Sequence, residues 1–215
     1  MNKKDKKCYI CGNSAVSEEH CPAKCFFPKQ HRKNMITVPS CSQHNEATSL
    51  DDEYARLFII MNNRNNKLSF EHFKDKVLKS LDRSPALKAL VSPVSSGGII
   101  KIPLDRERLD KEMRKNAYAL YFHKYNKPWN RELIVAIRDL VQENNQQDDY
   151  GKLIEIAEYE CKTMGCSFEY LGENPEVFQY VFLETEEEEV LLKMVFYEGF
   201  DVWIIPKIDS IGPIY

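Results

Sequence analysis

Long apolar runs are missing from this chain of 215 residues. No stretch approaches the roughly 20 consecutive apolar residues of a membrane-spanning helix, and the lysine-rich start has no apolar segment of the kind found in signal peptides. The C-terminal part contains no glycine-rich phosphate loop, no repeat and no low-complexity segment. With 43% hydrophobic and 29% charged residues, the sequence predicts a globular cytoplasmic protein without a membrane partner.

Cysteine, in contrast, is not scarce: the chain has 7, and their spacing favours metal binding over a disulfide framework. One Cys-x-x-Cys pair and one Cys-x-x-His pair lie in the first quarter of the chain. Two such pairs are typical of a structural zinc site, because each tight turn presents two of the four tetrahedral ligands. Cys21 and Cys25 fit such a turn less well, and we expect them to be half-buried structural residues. The predicted zinc ligands are Cys8, Cys11, Cys41 and His44.

The segment between the two ligand pairs carries an acid next to an imidazole, Glu19-His20. A histidine can take a proton near neutral pH, and a carboxylate is a hard oxygen ligand suited to Mg²⁺ or Mn²⁺. Asn45 follows the last predicted zinc ligand, so its amide oxygen could complete a divalent-ion site with Glu19 and leave His20 to activate water. An isolated Glu-His pair would be read more simply as a surface acid and a core histidine. Asn45 could also cap the next helix.

At these residues the sequence resembles the HNH endonucleases, the zinc-stapled branch of the ββα-metal nucleases. The resemblance covers about residues 8–55, and it depends on the order of the motifs as well as on their spacing. Three residues differ from the commoner pattern: Glu19 stands where Asp is frequent, His44 where Cys is frequent, and Asn45 where His is frequent. The matching stretches are Cys8-Tyr9-Ile10-Cys11, Glu19-His20-Cys21-Pro22, Asn34 and Cys41-Ser42-Gln43-His44-Asn45.

The resemblance implies a catalytic role for four of these residues. His20 corresponds to the general base that deprotonates the attacking water. Glu19 and Asn45 correspond to the ligands of a catalytic Mg²⁺ or Mn²⁺ ion. Asn34 corresponds to the middle asparagine, which braces the loop through backbone hydrogen bonds. The zinc ion, in this interpretation, is structural.

Charge is distributed unevenly along the chain, although the net charge is only -3. Through residue 40 there are eight basic and three acidic residues, a net charge of +5, whereas residues 186–189 are all glutamate. A nucleic-acid backbone would therefore be attracted to the N-terminal segment. A lysine-rich terminus is also common as a solubilising tail. The predicted nucleic-acid contacts are Lys24, Lys29, Arg32 and Lys33.

Together these features predict a metal-dependent endonuclease that hydrolyses phosphodiester bonds of nucleic acid, with DNA as the expected substrate. A role in restriction or phage defence follows from the resemblance alone. Two other classes stay open. One is a zinc-ribbon module that binds nucleic acid or protein without catalysis, and the other is a redox protein that uses its cysteine pairs.

The predicted fold class is α+β, divided near the Pro-, Ser- and Gly-containing stretch 92–98, which favours no regular element. Acidic residues 51–53 are expected to begin a helix that ends near residue 62, followed by a second helix over 69–81 with Phe70, Phe73, Val77 and Leu81 on one face and a short third helix after Pro85. The predicted units are a zinc-stapled ββα HNH module over 1–62, a helical extension over 63–92 and an α+β accessory domain over 99–215.

The accessory domain is expected to contain a strand over 99–102, a long helix with Leu109, Met113, Ala117, Leu120 and Lys124 on one side, and a segment over 133–137 that is either extended or a short helix. A helix over 149–164 then precedes an antiparallel meander of three strands, at 177–183, 190–197 and 201–205. Its aromatic residues are expected in the core rather than on a base-stacking surface. This domain is also the expected site of any protein partner.

Overall fold

The computed structural model describes residues 6–45, 48–79, 92–93, 100–101, 104–138, 149–163, 168–184 and 189–207. Within these ranges the chain forms a two-stranded hairpin, four α-helices, a minimal strand pair and a five-stranded antiparallel sheet, so the predicted α+β class is confirmed. None of the helices in the described ranges combines the length and the apolar character needed to cross a bilayer.

A hairpin followed by a helix forms the N-terminal part of the described chain. Strand β1 (Ser17–Cys21) pairs antiparallel with strand β2 (Ile36–Ser40), and helix α1 (Ser49–Ile60) follows. In both strands burial alternates, so that every second side chain faces the interior. The predicted helix boundaries are correct to within two residues, and Asp51 and Asp52 lie in its first turn.

The second helix differs from the prediction in the face that it buries. Helix α2 (Lys67–His72) continues into one π-helical turn (Phe73–Val77). Phe70, predicted to be in the core, is 59% exposed, whereas Ser69 and His72 are buried. The helix can bury these polar residues because each has a partner: the Ser69 hydroxyl donates to the Asn66 carbonyl at 2.9 Å, and His72 bonds Tyr197. Leu81 and the predicted helix after Pro85 lie outside the described residues.

The long helix α3 (Arg106–Tyr125) follows the prediction closely. Its first turn is capped by Asp105, whose side chain accepts from the Arg108 amide, and it ends at Asn126, which has a left-handed φ of 53°. Of the five residues predicted for one side of this helix, Lys124 near its end is exposed, whereas the other four are buried: Leu109, Met113, Ala117 and Leu120.

Five strands form an antiparallel sheet: β5 (Leu133–Ile137), β6 (Leu171–Asn174), β7 (Phe178–Glu184), β8 (Val190–Phe196) and β9 (Phe200–Pro206). Their order in the sheet is β5-β9-β8-β7-β6, and helix α4 (Asp149–Thr163) packs beside it. The predicted meander is confirmed, with boundaries shifted by at most one residue. The sequence does not predict the edge strand β6. Three of its four residues are exposed and one is partly buried, so it lacks the alternation of apolar and polar side chains that indicates a strand.

One buried core extends from the N-terminal hairpin to the sheet. The Phe26 ring lies edge-on to the Phe196 ring at 5.9 Å between centroids, and the Tyr197 hydroxyl donates to the Phe26 carbonyl at 2.6 Å. The predicted aromatic core is also present, with Tyr121 stacked on Trp129.

The predicted division of the chain at 92–98 stays a prediction, because residues 94–98 lie outside the described residues. At its edge, β3 (Ser92–Pro93) pairs with β4 (Ile100–Lys101). The start of the stretch is therefore a strand, whereas no regular element was predicted there.

The turn between β8 and β9 is the docking point for the polar run after α1. Tyr197 and Glu198 have left-handed φ values of 49° and 60°, and Gly199 closes the turn. The Asn66 amide donates to the Tyr197 carbonyl at 2.9 Å. A Cβ atom on Gly199 would lie 2.3 Å from the carbonyl carbon of Arg64, so only glycine fits there.

We expect Gly199→Ala to lower the free energy of unfolding by about 1–3 kcal/mol, the usual cost of overpacking, because backbone must move to admit the methyl group. Chemical denaturation measures this loss. Gly12→Asn is the control for an added Cβ without a clash: no atom lies within 4 Å of that Cβ, and asparagine adopts a left-handed φ such as the 69° of Gly12 more readily than most side chains. Equal stability of Gly199→Ala and the wild type would contradict the close approach.

Candidate metal centre and the strand beside it

The four predicted zinc ligands converge at one point. Their ligand atoms all lie within 4.8 Å of one another, and in the described part of the chain no other group of three or more His, Cys, Asp or Glu side chains does this. His44 Nδ1 is 3.5 Å from Cys8 Sγ and 3.3 Å from Cys41 Sγ, and the sulfur atoms of Cys11 and Cys41 are 3.8 Å apart. These four side chains could hold a metal ion such as zinc.

These three distances are close to those expected around zinc. Bonds of about 2.3 Å to sulfur and about 2.0–2.1 Å to nitrogen place the ligand atoms of a tetrahedral zinc ion about 3.5–3.8 Å apart. The Cys8 thiol is also prepared to ionise. Burial raises its pKa. Hydrogen bonds with the backbone at Cys11, Ile10 and Cys41 and with the His44 ring have the larger, opposite effect, so the pKa is lowered to about 6. A thiolate is the form that binds metal.

Two tight turns present these ligands. The first turn is closed by the Gly12 amide, which donates to the Cys8 carbonyl at 3.0 Å, and it is held against β2 by the Tyr9 amide, which donates to the Pro39 carbonyl at 2.9 Å. The second is a 3₁₀ turn (Ser42–His44) directly after β2. A metal ion bound here would therefore join the segment that precedes β1 to the segment that follows β2, at the outer end of the hairpin.

Strand β1 carries Glu19 and His20 on opposite faces, because neighbouring side chains of a strand alternate. Glu19 faces inward and is 4% exposed. One of its oxygens lies 3.6 Å from the ammonium of Lys115, and the other, Oε2, has no hydrogen-bond partner among the described residues. Burial raises the pKa of Glu19 to about 7, against the opposing effect of Lys115.

The interior beside Glu19 contains a buried charge cluster that sequence reasoning missed. Lys115 on α3 is 2.9 Å from Glu112, is paired with Asp52 on α1, and donates to the Thr48 hydroxyl at 3.2 Å. Burial raises the pKa of Glu112 well above its usual range. Burial by itself would lower the pKa of Lys115, but the surrounding carboxylates raise it. One feature of the sequence could have indicated this cluster: Glu112 and Lys115 lie between helix positions that are predicted to be buried.

His20 lies on the outer face, half-buried, with exposed Thr37 as its cross-strand neighbour. Burial and the nearby Lys24 lower the pKa of its imidazole, while Glu18 acts in the opposite direction. A lower pKa keeps the ring neutral at neutral pH, and a neutral ring can accept a proton.

The two predicted asparagines occupy different environments. The Asn45 side chain donates to the Ser17 hydroxyl at 2.9 Å and to the Glu18 carbonyl at 3.3 Å, so it is held against β1. Asn34 is exposed, has a left-handed φ of 51°, and lines a cavity of about 430 Å³ between the hairpin and the edge strand β6. The bracing bonds implied for Asn34 are not made to any described residue, and its role stays a prediction.

The predicted nucleic-acid contacts lie on the connection between β1 and β2. Lys24, Lys29 and Lys33 are exposed there, whereas Arg32 is half-buried and its Nε donates to the Phe27 carbonyl at 3.0 Å. Three of the four charges are therefore free to meet a polyanion. Of the other two cysteines nearby, Cys21 is fully buried with its thiol donating to the Asn116 carbonyl, and Cys25 is half-buried.

Comparisons with protein-family models, with curated proteins and with solved structures found no match. The class that the fold and the site define is therefore an α+β protein with a candidate metal site of three cysteines and one histidine.

Replacing Cys8 or Cys41 by serine should reduce the zinc content from roughly one ion per chain to none and unfold the hairpin, since metal binding contributes directly to folding at such sites. Elemental analysis and thermal melting test this. Cys25→Ser, outside the group, should keep both the zinc and the melting profile. Full zinc content in both ligand variants would rule out this ligand set.

Proposed function

We propose that this protein is a metal-dependent endonuclease of the HNH type, which hydrolyses phosphodiester bonds of nucleic acid, with DNA as the expected substrate. One observation carries the proposal. Asn45, the residue after the candidate ligand His44, bonds β1 at Ser17 and Glu18, directly beside the Glu19-His20 pair. The residue next to the candidate ligand His44 is thus bonded to the strand that carries the proposed base and the proposed acidic ligand.

In this proposal His20 is the general base. Its half-buried ring on the outer face of β1 takes a proton from the attacking water. The lowered pKa of the imidazole keeps it unprotonated at neutral pH. The exposed lysines of the β1–β2 connection attract the phosphate backbone toward the same hairpin.

Glu19 and Asn45 would hold the catalytic Mg²⁺ or Mn²⁺ ion. Both offer oxygen ligands, and the unpartnered Oε2 of Glu19 is a buried acceptor that a cation would satisfy. When bound, such an ion would stabilise the charge that develops on the phosphodiester in the transition state. Asn45 is the better supported ligand, because it is only half-buried and already held against β1, whereas Glu19 faces Lys115 in the interior.

We expect His20→Ala to reduce the cleavage rate by roughly 10² or more, the scale of a lost general base, without loss of zinc or of nucleic-acid binding. Single-turnover cleavage of plasmid and oligonucleotide substrates with Mg²⁺ or Mn²⁺ measures the rate. Thr37→Ala, its exposed cross-strand neighbour, has no group that titrates near neutral pH and is the matched control.

Asn45→Ala and Glu19→Gln should also slow cleavage, but higher Mn²⁺ should partly restore it, which distinguishes a metal ligand from a base. A Glu19→Gln variant that loses thermal stability with an unchanged metal dependence would limit Glu19 to a partner of Lys115. Unchanged cleavage by His20→Ala at every pH and metal concentration would refute the proposal at its centre.

Neutralising Lys24, Lys29 and Lys33 to glutamine should weaken nucleic-acid binding and reduce the slope of log K against log salt by about 2–3, since each phosphate contact contributes about 0.7–0.9. Fluorescence anisotropy at several salt concentrations measures the slope. The control variant changes Lys127, Lys152 and Lys162, three exposed lysines far from the hairpin in sequence. An equal effect of both triple variants would contradict the proposed contact surface.

A binding module without catalysis is the second candidate, and the exposed basic connection supports it as well. Wild-type protein that binds nucleic acid through these lysines but cleaves nothing with either metal would favour this candidate over the endonuclease.

A further inference from the structure

The cavity of about 430 Å³ lies where the N-terminal hairpin meets the edge of the five-stranded sheet. On the hairpin side it is lined by Cys21, which directly follows His20 in the chain, and by Ile36, the cross-strand neighbour of Cys21. On the sheet side it is lined by residues of β6 and β7. Cavities of about 300–1,000 Å³ hold small organic ligands in proteins. This cavity is therefore large enough for an organic group, and it lies next in the chain to the proposed general base.

Aromatic rings form the floor of the cavity. Phe178 and Tyr180 are two positions apart on β7, so their side chains lie on the same face of the strand. Their rings are stacked, with 5.8 Å between the centroids. Phe27, from the β1–β2 connection, also lines the cavity. A planar organic group would find flat apolar surfaces here.

Apolar side chains from two different elements line the walls. Met35 comes from the hairpin side and Leu171 from β6. Leu171 is 47% exposed, and a ligand in the cavity would remove part of this apolar surface from water. Proteins commonly hold an unstacked nucleic-acid base between aromatic and apolar side chains in this way.

The cavity carries little charge of its own. None of the described residues that line it is a lysine or an arginine, and its one acidic residue, Glu173, is exposed. The other polar side chains include Asn34 and His123, which are exposed as well. This lining suits an uncharged ligand group with hydrogen-bonding edges better than it suits a phosphate.

Tyr180 supplies an unpaired hydrogen-bond donor at this site. Its side chain is only 5% exposed, and its hydroxyl forms no hydrogen bond with any described residue. Burial raises the pKa of Tyr180 to about 12, and the nearby Cys21 acts in the same direction, so the hydroxyl keeps its proton at neutral pH. A buried hydroxyl without a partner is unfavourable, and an acceptor on a ligand would remove this cost.

Positive charge lies beside the cavity instead of inside it. Lys33 directly precedes Asn34, and the Lys33 carbonyl accepts a hydrogen bond from Asn174 Nδ2 at 3.2 Å, which ties the β1–β2 connection to β6. Lys24 lies two positions after Pro22, another lining residue. Both lysines are exposed. A phosphate bound by either lysine would bring its attached base close to the mouth of the cavity.

We propose that this cavity receives one unpaired base of a nucleic-acid strand, while the phosphates of the strand stay outside at Lys24 and Lys33. The base lies between Met35 and Leu171 above the aromatic floor, and the Tyr180 hydroxyl donates to a ring nitrogen or carbonyl oxygen of the base. This inference rests on the proposed function, since it specifies the substrate of the same site. A base inside a duplex must leave its stack to enter, so the substrate is a single strand or a locally opened duplex.

Fluorescence anisotropy with the full wild-type chain, at one salt concentration and without added divalent ion, tests the site. One probe is a short labelled single strand of DNA, and the other is a strand of equal length in which a stable abasic unit replaces every base. Because the two strands carry the same phosphates, the difference in affinity reports on the bases. We expect the strand with bases to bind at least about tenfold tighter, the scale of one stacked base. Equal affinity for the two strands overturns the proposal.

Tyr180→Phe locates the base contact, because it removes the hydroxyl and keeps the ring. It should weaken binding of the strand with bases about 2- to 10-fold, the range for one lost hydrogen bond, and leave the abasic strand unaffected. Tyr159→Phe, at a tyrosine of α4 that is 69% exposed and does not line the cavity, is the matched control.

Leu171→Ala tests the apolar wall with the same two strands. We expect several-fold weaker binding of the strand with bases only, while Leu104→Ala, at a leucine that is 43% exposed outside the cavity, should bind both strands as the wild type does. Wild-type affinities in both Tyr180→Phe and Leu171→Ala would place the base contacts elsewhere and overturn the proposal. An equal loss for the two strands would mean that these residues act through the fold, and would overturn it too.

Two further results separate this site from its alternatives. If a free nucleoside monophosphate displaces the strand at a concentration equal to the dissociation constant of the strand, the cavity is a site for a free nucleotide, and the assignment to a strand is wrong. The binding assay does not depend on cleavage. Base-dependent binding by a protein that cleaves nothing keeps this site and refutes the endonuclease, and cleavage without base-dependent binding does the reverse.

Discussion

A buried ammonium group joins the three elements that surround the candidate metal centre. Lys115 reaches from α3 to Glu19 on β1, to Asp52 on α1 and to Glu112 on its own helix. Three carboxylates around one cation leave an excess of negative charge, and burial, together with the neighbouring Asp52 carboxylate, raises the pKa values of Glu19 and Glu112. Removal of the cation would leave three uncompensated acids in the interior, so the docking of the hairpin on α3 depends on this one side chain.

The candidate metal site and this charge cluster hold the hairpin from opposite sides. The ligand group fixes its outer end, where Cys8 and Cys41 meet, and Lys115 fixes its inner face through Glu19. Between them β1 has no freedom to rotate, so Glu19 stays inside and His20 stays outside. The proposed base therefore acts on the outer face of the strand, whereas Glu19 would have to reach the proposed ion from the inner face, beside the edge occupied by Asn45. This constraint gives the proposed base a fixed direction of access.

Local patterns in the sequence predict the parts of the molecule that local interactions determine. The four candidate ligands are found from spacing alone because each pair lies in one tight turn, and α3 and the meander follow from hydrophobic periodicity. The Lys115 cluster and the His72–Tyr197–Phe26 chain escape such reasoning. Their members resemble surface residues, and only the tertiary fold brings them together. Phe70 is the opposite case. It is an apolar residue at helical spacing, but it is exposed because the helix buries the hydrogen-bonded polar residues Ser69 and His72 instead.

The bond from Tyr197 to the Phe26 carbonyl spans 171 positions of the chain. On the ribosome the N-terminal hairpin emerges long before β8 and β9, so its core stays open until the last strands are made. Metal capture needs only residues near the start and can precede this closure. The order of synthesis thus separates an early, metal-centred event from a late, sheet-centred one. The nascent protein must keep Phe26 and its neighbours from aggregation until β8 and β9 have been synthesised.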